Sequence, residues 1–274
     1  MTISYLRPDP GVLGREWREI VEAEYNQVER LREWHNTDYY QPIANQFTDD
    51  PHRAGDPILE ALRAFAPPDA VWLDVGAGGG RYALPLALTS KQVIAVDPSG
   101  GMRQVLKGEL ERHGIDNVVQ RDLRWPEGSD EIQAHCSLAA HVGYDIREIN
   151  PFIDGLERAT SERCVALSMD RAPSGGFERL WEQVHGEPRQ TLPAMRDFVH
   201  LLLARDAAPE IRVFPRNHEA WTPDELRSSA RRRLWLAEGS EKDKRLQSLL
   251  DTEIKNGATD FQVPLLVAMV SWRP

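Results

Sequence analysis

The stretch Val71-Trp72-Leu73-Asp74-Val75-Gly76-Ala77-Gly78-Gly79-Gly80-Arg81 decides how this chain is read. A short apolar run with the texture of a buried strand enters a glycine-dense turn, and a helical pattern follows. Glycine permits positive φ and lets backbone approach a ligand with no Cβ in the way. In an open α/β sheet, ligands sit outside the carboxyl ends of the strands, which is where such a turn lies. The dinucleotide fingerprint Gly-x-Gly-x-x-Gly fails here. Counted from Gly76, its third glycine falls on Arg81. No Lys-Ser/Thr pair follows the glycines, so a phosphate-cradling P-loop fails as well. What stands in the chain is Asp-x-Gly-x-Gly-x-Gly, from Asp74 to Gly80.

Downstream, short apolar runs alternate with helical patterns. Strands are expected at Ala70–Asp74, Gln92–Asp97, Asn117–Asp122, Ser137–His141 and Cys164–Met169, with helices at Arg81–Leu88, Gly101–His113 and Asp145–Thr160. This rhythm describes βαβ units, hence a doubly wound, mainly parallel α/β sheet with helices on both faces. Beyond Asp170 the rhythm breaks. Phe177–Ala208 reads as helical, interrupted by Gly186-Glu187-Pro188, and Ile211–Phe214 as a short strand. Thr222-Pro223-Asp224-Glu225 is a capping box that starts another helix, and Phe261–Trp272 is a closing strand. Upstream, Leu13–Trp34 carries apolar residues at helical spacing, among them Trp17, Val21, Val28 and Leu31. Asp56-Pro57 starts a further helix with an N-cap and a proline at its first position. The expected division is a helical N-terminal cap or arm over 1–55 and one domain over 56–274, with a helical insertion at about 172–208.

Asp74 to Gly80, followed by Val93-Ile94-Ala95-Val96-Asp97, resembles the first motifs of the class I S-adenosylmethionine-dependent methyltransferases. The resemblance covers about residues 70–170, including Pro98-Ser99-Gly100-Gly101-Met102, Gln120-Arg121-Asp122-Leu123 and Ala139-Ala140-His141-Val142. The ordered strand-end acids at 74, 97 and 122 carry it. It implies a seven-stranded Rossmann-like sheet with an antiparallel last strand, and S-adenosylmethionine as cofactor. By that resemblance Asp74 and the backbone of Gly76, Ala77, Gly78 and Gly80 hold the methionine end, and Arg81 pairs with its carboxylate. Asp97, in the Asp97-Pro98 turn, accepts from the ribose diol, a task suited to a strand-end carboxylate. Asp122 accepts from the adenine amino group, the Leu123 amide donates to the ring, and Met102 packs on the adenine face. Ala140 and His141 present carbonyls to the cofactor's amino group. Plainer readings stand beside these: an N-cap for Asp97, a turn residue for Asp122, a core methionine for Met102, a solvated arginine for Arg81 and a packed histidine for His141.

Methyl transfer from a sulfonium is an in-line displacement with a neutral leaving group, so positioning dominates and a base matters only for a protonated nucleophile. The motif set therefore names no catalytic residue. Tyr40, in an arm segment that resembles one folding over the cofactor in small-molecule methyltransferases, His141, and His185 in the insertion are the candidates. A packed His185 and a core Trp181 are the plainer readings. Arg227, Arg231, Arg232 and Arg233 form a basic cluster, which reads first as a solvated helix face paired with acids.

With 33 Lys+Arg against 43 Asp+Glu, the net charge of −10 argues against a polyanionic partner over a large surface. The longest strongly apolar run, Val263–Val270, falls far short of the ~20 residues a membrane helix needs. The first ten residues hold no apolar leader segment. Two cysteines, Cys136 and Cys164, give neither a disulfide framework nor a metal cluster, which fits a cytoplasmic protein without a metal site. The expectation is methyl transfer to a small molecule. RNA or protein methylation, or non-catalytic cofactor binding, are the alternatives. A homodimer through the apolar stripe of the first helix is a further expectation, with docking on its own domain as the other use of that stripe.

Overall fold

The computed structural model describes residues 8–35, 38–173, 177–216, 221–256 and 266–274. Seven strands form one sheet: β1 (Val71–Val75), β2 (Gln92–Val96), β3 (Val118–Arg121), β4 (Ala134–Ala140), β5 (Thr160–Met169), β6 (Glu210–Pro215) and β7 (Leu266–Trp272). Their order is β3-β2-β1-β4-β5-β7-β6. The first five are parallel, and β7 lies antiparallel between β5 and β6. Strand order reverses between β1 and β4. The β1 turn therefore opens at the switch point, where a crevice is expected. Residues 261–265 of the anticipated closing strand lie outside the described residues.

Helices α1 (Pro10–Leu31), α2 (Pro57–Phe65), α3 (Ala83–Ala87), α4 (Gly100–His113) and α5 (Ile149–Ala159) cover the sheet. Local chemistry sets their ends. Asp9 caps α1 by accepting from the Val12 amide at 2.9 Å, and Ser99 caps α4 by accepting from the Met102 amide at 3.1 Å. Apolar cores lie on both sheet faces. One gathers Leu73, Val75, Phe152, Ile153 and Trp272, the other Trp72, Leu84, Val93, Leu106 and Leu138. Burial of strands on both faces accounts for their near-continuous apolar runs.

The stripe of α1 docks on its own chain. Trp17 and Val21 join the first core, and the Trp17 indole donates to the Ile146 carbonyl at 2.9 Å. Helix α1 also spans further toward its start and stops sooner than the expected Leu13–Trp34 range. The first helix after the glycines is shorter than expected too, five residues rather than the run from Arg81.

The segment expected as one interrupted helical stretch is two helices, α6 (Glu178–His185) and α7 (Met195–Ala204). Helices α8 (Pro223–Arg233) and α9 (Glu241–Lys255) follow, and the sequence pattern did not show α9. The capping box stands: the Glu225 amide donates to Thr222 Oγ1 at 3.3 Å and the Thr222 amide to Glu225 Oε2 at 2.8 Å. Val28 of α1, Phe177, Leu180, Trp181 and Val184 around α6, Leu226 and Ala230 of α8, and Leu246 and Leu250 of α9 bury one another in a separate helical core. The helical elaboration thus draws on residues either side of β6 as well as on the segment at 172–208.

Candidate functional site

Strand β1 delivers Asp74 to the foot of the glycine turn. Gly76, Gly78 and Gly80 take φ of +75°, +55° and +92°. At Gly80 a side chain would also meet Leu106 Cδ1 at 2.6 Å. The turn is pinned to β2, because the Gly76 and Ala77 amides both donate to the Val96 carbonyl, at 2.7 and 3.1 Å. One residue further, Asp97 is drawn into the same construction. Its Oδ2 accepts from the Gly78 amide at 2.9 Å and its Oδ1 from the Ser99 amide at 2.8 Å. Each carboxylate oxygen keeps a second lone pair for an outside donor.

Asp74 is 1% exposed, and its Oδ1 has no hydrogen-bond partner. Burial, with the Asp97 carboxylate nearby, pushes its pKa up to about 7. Burial likewise raises that of Asp97, against the two amides that lower it. Two crowded carboxylates, one with an orphaned oxygen, sit beside a bare backbone bend. Acids so placed suit a cationic, donor-rich ligand.

The N-terminal arm closes over this turn. Gln41–Phe47 forms a 3-10 helix against α4, so close that a Cβ on Gly101 would stand 2.9 Å from Gln41 Cα. Asp38 fastens it, accepting from Ser99 Oγ at 2.7 Å and from the Gly101, Tyr40 and Gln41 amides at 3.3, 3.1 and 3.2 Å. The sequence reading missed Asp38. An aspartate two residues before Tyr40 is an Asx-turn signal, but only the fold brings Ser99 to it.

Tyr40 is 44% exposed and Asp145 is also reached by solvent. Protein nevertheless surrounds both closely enough to raise their pKa, and Asp145 and Asp97 add to the effect on Tyr40. His141 ends β4 in the left-handed region, with φ +58°. Burial, with Arg81 and Arg216 nearby, lowers its pKa to about 4, and its Nδ1 is buried without a partner.

Other expected residues are placed differently. Arg81 pairs with Asp49 at 3.4 Å. Asp122 is paired with Arg103 at 2.6 Å, its side chain 71% exposed. Arg103 also donates to the Asp97 carbonyl at 2.8 Å, so it links two of the strand-end acids. Met102 is buried, near the space that a Gly78 side chain would fill. Leu123 packs against the first core, Pro98 is exposed, and Ala140 is partly buried at the end of β4. His185 belongs to the helical core. Its Nε2 meets the Leu234 carbonyl at 3.0 Å, its Nδ1 meets Lys242 Nζ at 3.4 Å, and its ring lies over Trp181. Among the described residues, no group of three or more His, Cys, Asp or Glu is placed to hold a metal ion. No described helix is long and apolar enough to cross a membrane.

Residues 73–159 match the family model of the methyltransferase domain. A curated relative, an uncharacterised protein of Haemophilus influenzae, is 25% identical over 150 residues, 53% of this chain and 55% of that protein. The chain thus spans about half the length of that relative. Among solved structures, coclaurine N-methyltransferase bound to N-methylheliamine and S-adenosylhomocysteine is similar in fold, with a TM-score of 0.56 and 12% identity, covering 97% of this chain and 95% of that one. A candidate methyltransferase of Bacillus halodurans C-125 gives 0.52 and 14%, covering 80% and 99%. Fold, strand-end acids and family model point the same way: residues 73–159 match a methyltransferase domain, set in a seven-stranded sheet of order β3-β2-β1-β4-β5-β7-β6.

Proposed function

We propose that this protein transfers the methyl group of S-adenosylmethionine to a small-molecule acceptor that enters the cleft between the arm and the end of β4. The observation that carries the cofactor half is the buried Asp74 Oδ1 without a partner, beside the bare 76–80 backbone. Asp74 and the turn backbone, with Ala140 and His141, hold the amino acid end. Asp97 holds the ribose through its two remaining lone pairs, and Met102 and Leu123 line the base. Asp122 and Arg81 reach the cofactor only by leaving Arg103 and Asp49. When bound, the cofactor supplies an electrophilic methyl group on sulfur, with a neutral thioether as leaving group.

The protein's own part is alignment, water exclusion by the arm, and removal of a proton where the nucleophile carries one. His141 suits the last task. Its depressed pKa keeps the imidazole neutral at pH 7, and its unpartnered Nδ1 is free to accept. Tyr40 shapes the cleft wall. A small acceptor, rather than RNA, is supported by the pairing of Arg227 with Asp251 and of Arg231 with Asp243, at 2.6 and 2.9 Å, which removes two cations from the basic cluster. Residues 1–55 act as the arm and 56–274 as the catalytic domain. Two buried free cysteines suit a cytoplasmic setting.

Calorimetric titration with S-adenosylhomocysteine tests the cofactor site, and tritium transfer from labelled cofactor into a metabolite extract tests the acceptor. Micromolar binding and label in the small-molecule fraction support the reading. Absence of binding, or label confined to RNA or protein, overturns it.

A further inference from the structure

Strand β6 ends the sheet and is bare on both faces. Among the described residues it is bonded to β7 alone, with Glu210 opposite Ser271 through to Pro215 opposite Leu266. Of its six residues only Phe214 is partly withdrawn from solvent, while Ile211 and Val213 are 45% and 51% exposed. The other edge strand, β3, exposes only Arg121 of its four residues. An open edge with apolar side chains is a template for another strand, and chains that avoid such pairing set lysine, inward charge or proline along it. In β6 the prolines stand only at the ends, Pro209 before the strand and Pro215 closing it, and no lysine lies between them.

Side chains alternate across the strand. Glu210 and Arg212 share one face. Arg163 pairs with Glu210 at 3.1 Å and stands over the Phe65 ring at 5.3 Å, and Arg212 stands over the same ring at 5.3 Å. The Glu210 side chain is still more than half exposed, with oxygen lone pairs for a second cation. Ile211 and Val213 share the other face. The order Glu-Ile-Arg is its own complement when reversed. A twofold axis through Ile211 sets Glu210 of each copy directly opposite Arg212 of the other, and Ile211 against its counterpart. An axis through Arg212 opposes like charges instead.

We propose that two copies of this chain associate by antiparallel pairing of their β6 edges about Ile211, joining two sheets into one. Helix α1, the other surface expected to dimerise, has Trp17 and Val21 in the chain's own core. A short strand pair buries less than the about 1,000 Å² of a stable interface, so the dimer is weak and forms as concentration rises. Strands β4, β5 and β7 separate β6 from β1, so the glycine turn stays open in the dimer.

Sedimentation of the full chain at rising concentration is expected to show a monomer–dimer equilibrium. Glu210→Arg and Arg212→Glu each oppose like charges at both pairs, and each alone is expected to weaken association at least about tenfold. An equimolar mixture of the two variants opposes unlike charges at both pairs and is expected to dimerise again. Ile211→Cys treated with diamide is expected to give a disulfide-linked dimer, because directly opposite residues of antiparallel strands bring their Cα atoms to about 5 Å. Val213→Cys is expected to give none, since the same axis sets Val213 opposite Pro209 of the other copy. Cys136 and Cys164 are buried and do not compete. All four substituted residues are exposed, so the variants report on association rather than on folding. A monomer at every concentration, a dimer that survives either charge reversal, a mixture that stays monomeric, or cross-linking through Val213→Cys in place of Ile211→Cys overturns the inference.

Discussion

The Gly78 amide donates to Asp97 Oδ2 at 2.9 Å, so the glycine turn after β1 and the acid after β2 are one structure rather than two neighbouring motifs. Asp97→Asn retains shape but presents an NH2 to one of two backbone donors, Gly78 or Ser99. A buried donor without an acceptor costs about 1–3 kcal/mol. The variant is expected to unfold at lower denaturant and to bind S-adenosylhomocysteine at least about a hundredfold more weakly, in keeping with two charge-assisted bonds lost. Chemical denaturation and calorimetry read the two effects separately. Wild-type affinity in the variant would remove Asp97 from the site.

Asp74 gives a pH signature with a defined sign. Its pKa is near 3.8 unfolded and about 7 folded, so the folded protein binds more protons between those values. Stability contributed by this group therefore falls as pH rises through that window. Asp74→Asn is expected to melt higher than wild type at pH 8 and nearly level with it at pH 4, while losing cofactor affinity. A variant that melts lower than wild type at pH 8 would show that the carboxylate is stabilising as it stands.

Asp38 anchors the arm through four donors. Asp38→Ala is expected to release the 3-10 segment from α4. Cofactor affinity should drop about tenfold, and the global melting temperature should move little, because no large apolar surface is uncovered. Hydrogen exchange across residues 38–48 should rise. Unchanged protection there would contradict the anchoring role.

His185 and His141 separate by variant. Burial, with Lys242 nearby, lowers the His185 pKa to about 4, so the unfolded chain binds the extra proton between pH 6.5 and 4 and stability is lost as pH falls through that range. His185→Phe is expected to leave turnover intact and to flatten the loss of melting temperature between pH 7 and 5. His141→Ala should flatten that loss as well, because its pKa is likewise lowered to about 4, and should in addition lower turnover. Equal turnover in both variants would take His141 out of the chemistry.

A side chain on Gly80 would require positive φ of +92° and an approach of 2.6 Å to Leu106. Gly80→Ala is expected to cost about 1–3 kcal/mol. Denaturant midpoints measure it, and a neutral effect would mean that the turn relaxes freely.

Much of this was written in local sequence. The run from Val71 to Gly80 and the acids 74 and 97 are visible because strand, turn and ligand-facing carboxylate follow one another within a few residues, where propensity and burial act on contiguous chain. Parallel order followed from the βαβ rhythm, and the start of α8 from a capping box that closes over four residues. Helix α9 escaped because its four apolar residues, Leu246, Leu249, Leu250 and Ile254, stand among charged ones and pack on a core built from distant parts of the chain. Only the folded molecule shows Asp38 on Ser99 and Asp122 on Arg103. Those relations join residues up to 61 positions apart in the case of Asp38 and Ser99. Long-range pairing depends on how the layers pack, and no periodicity in the chain records which charged groups that packing will leave matched or alone.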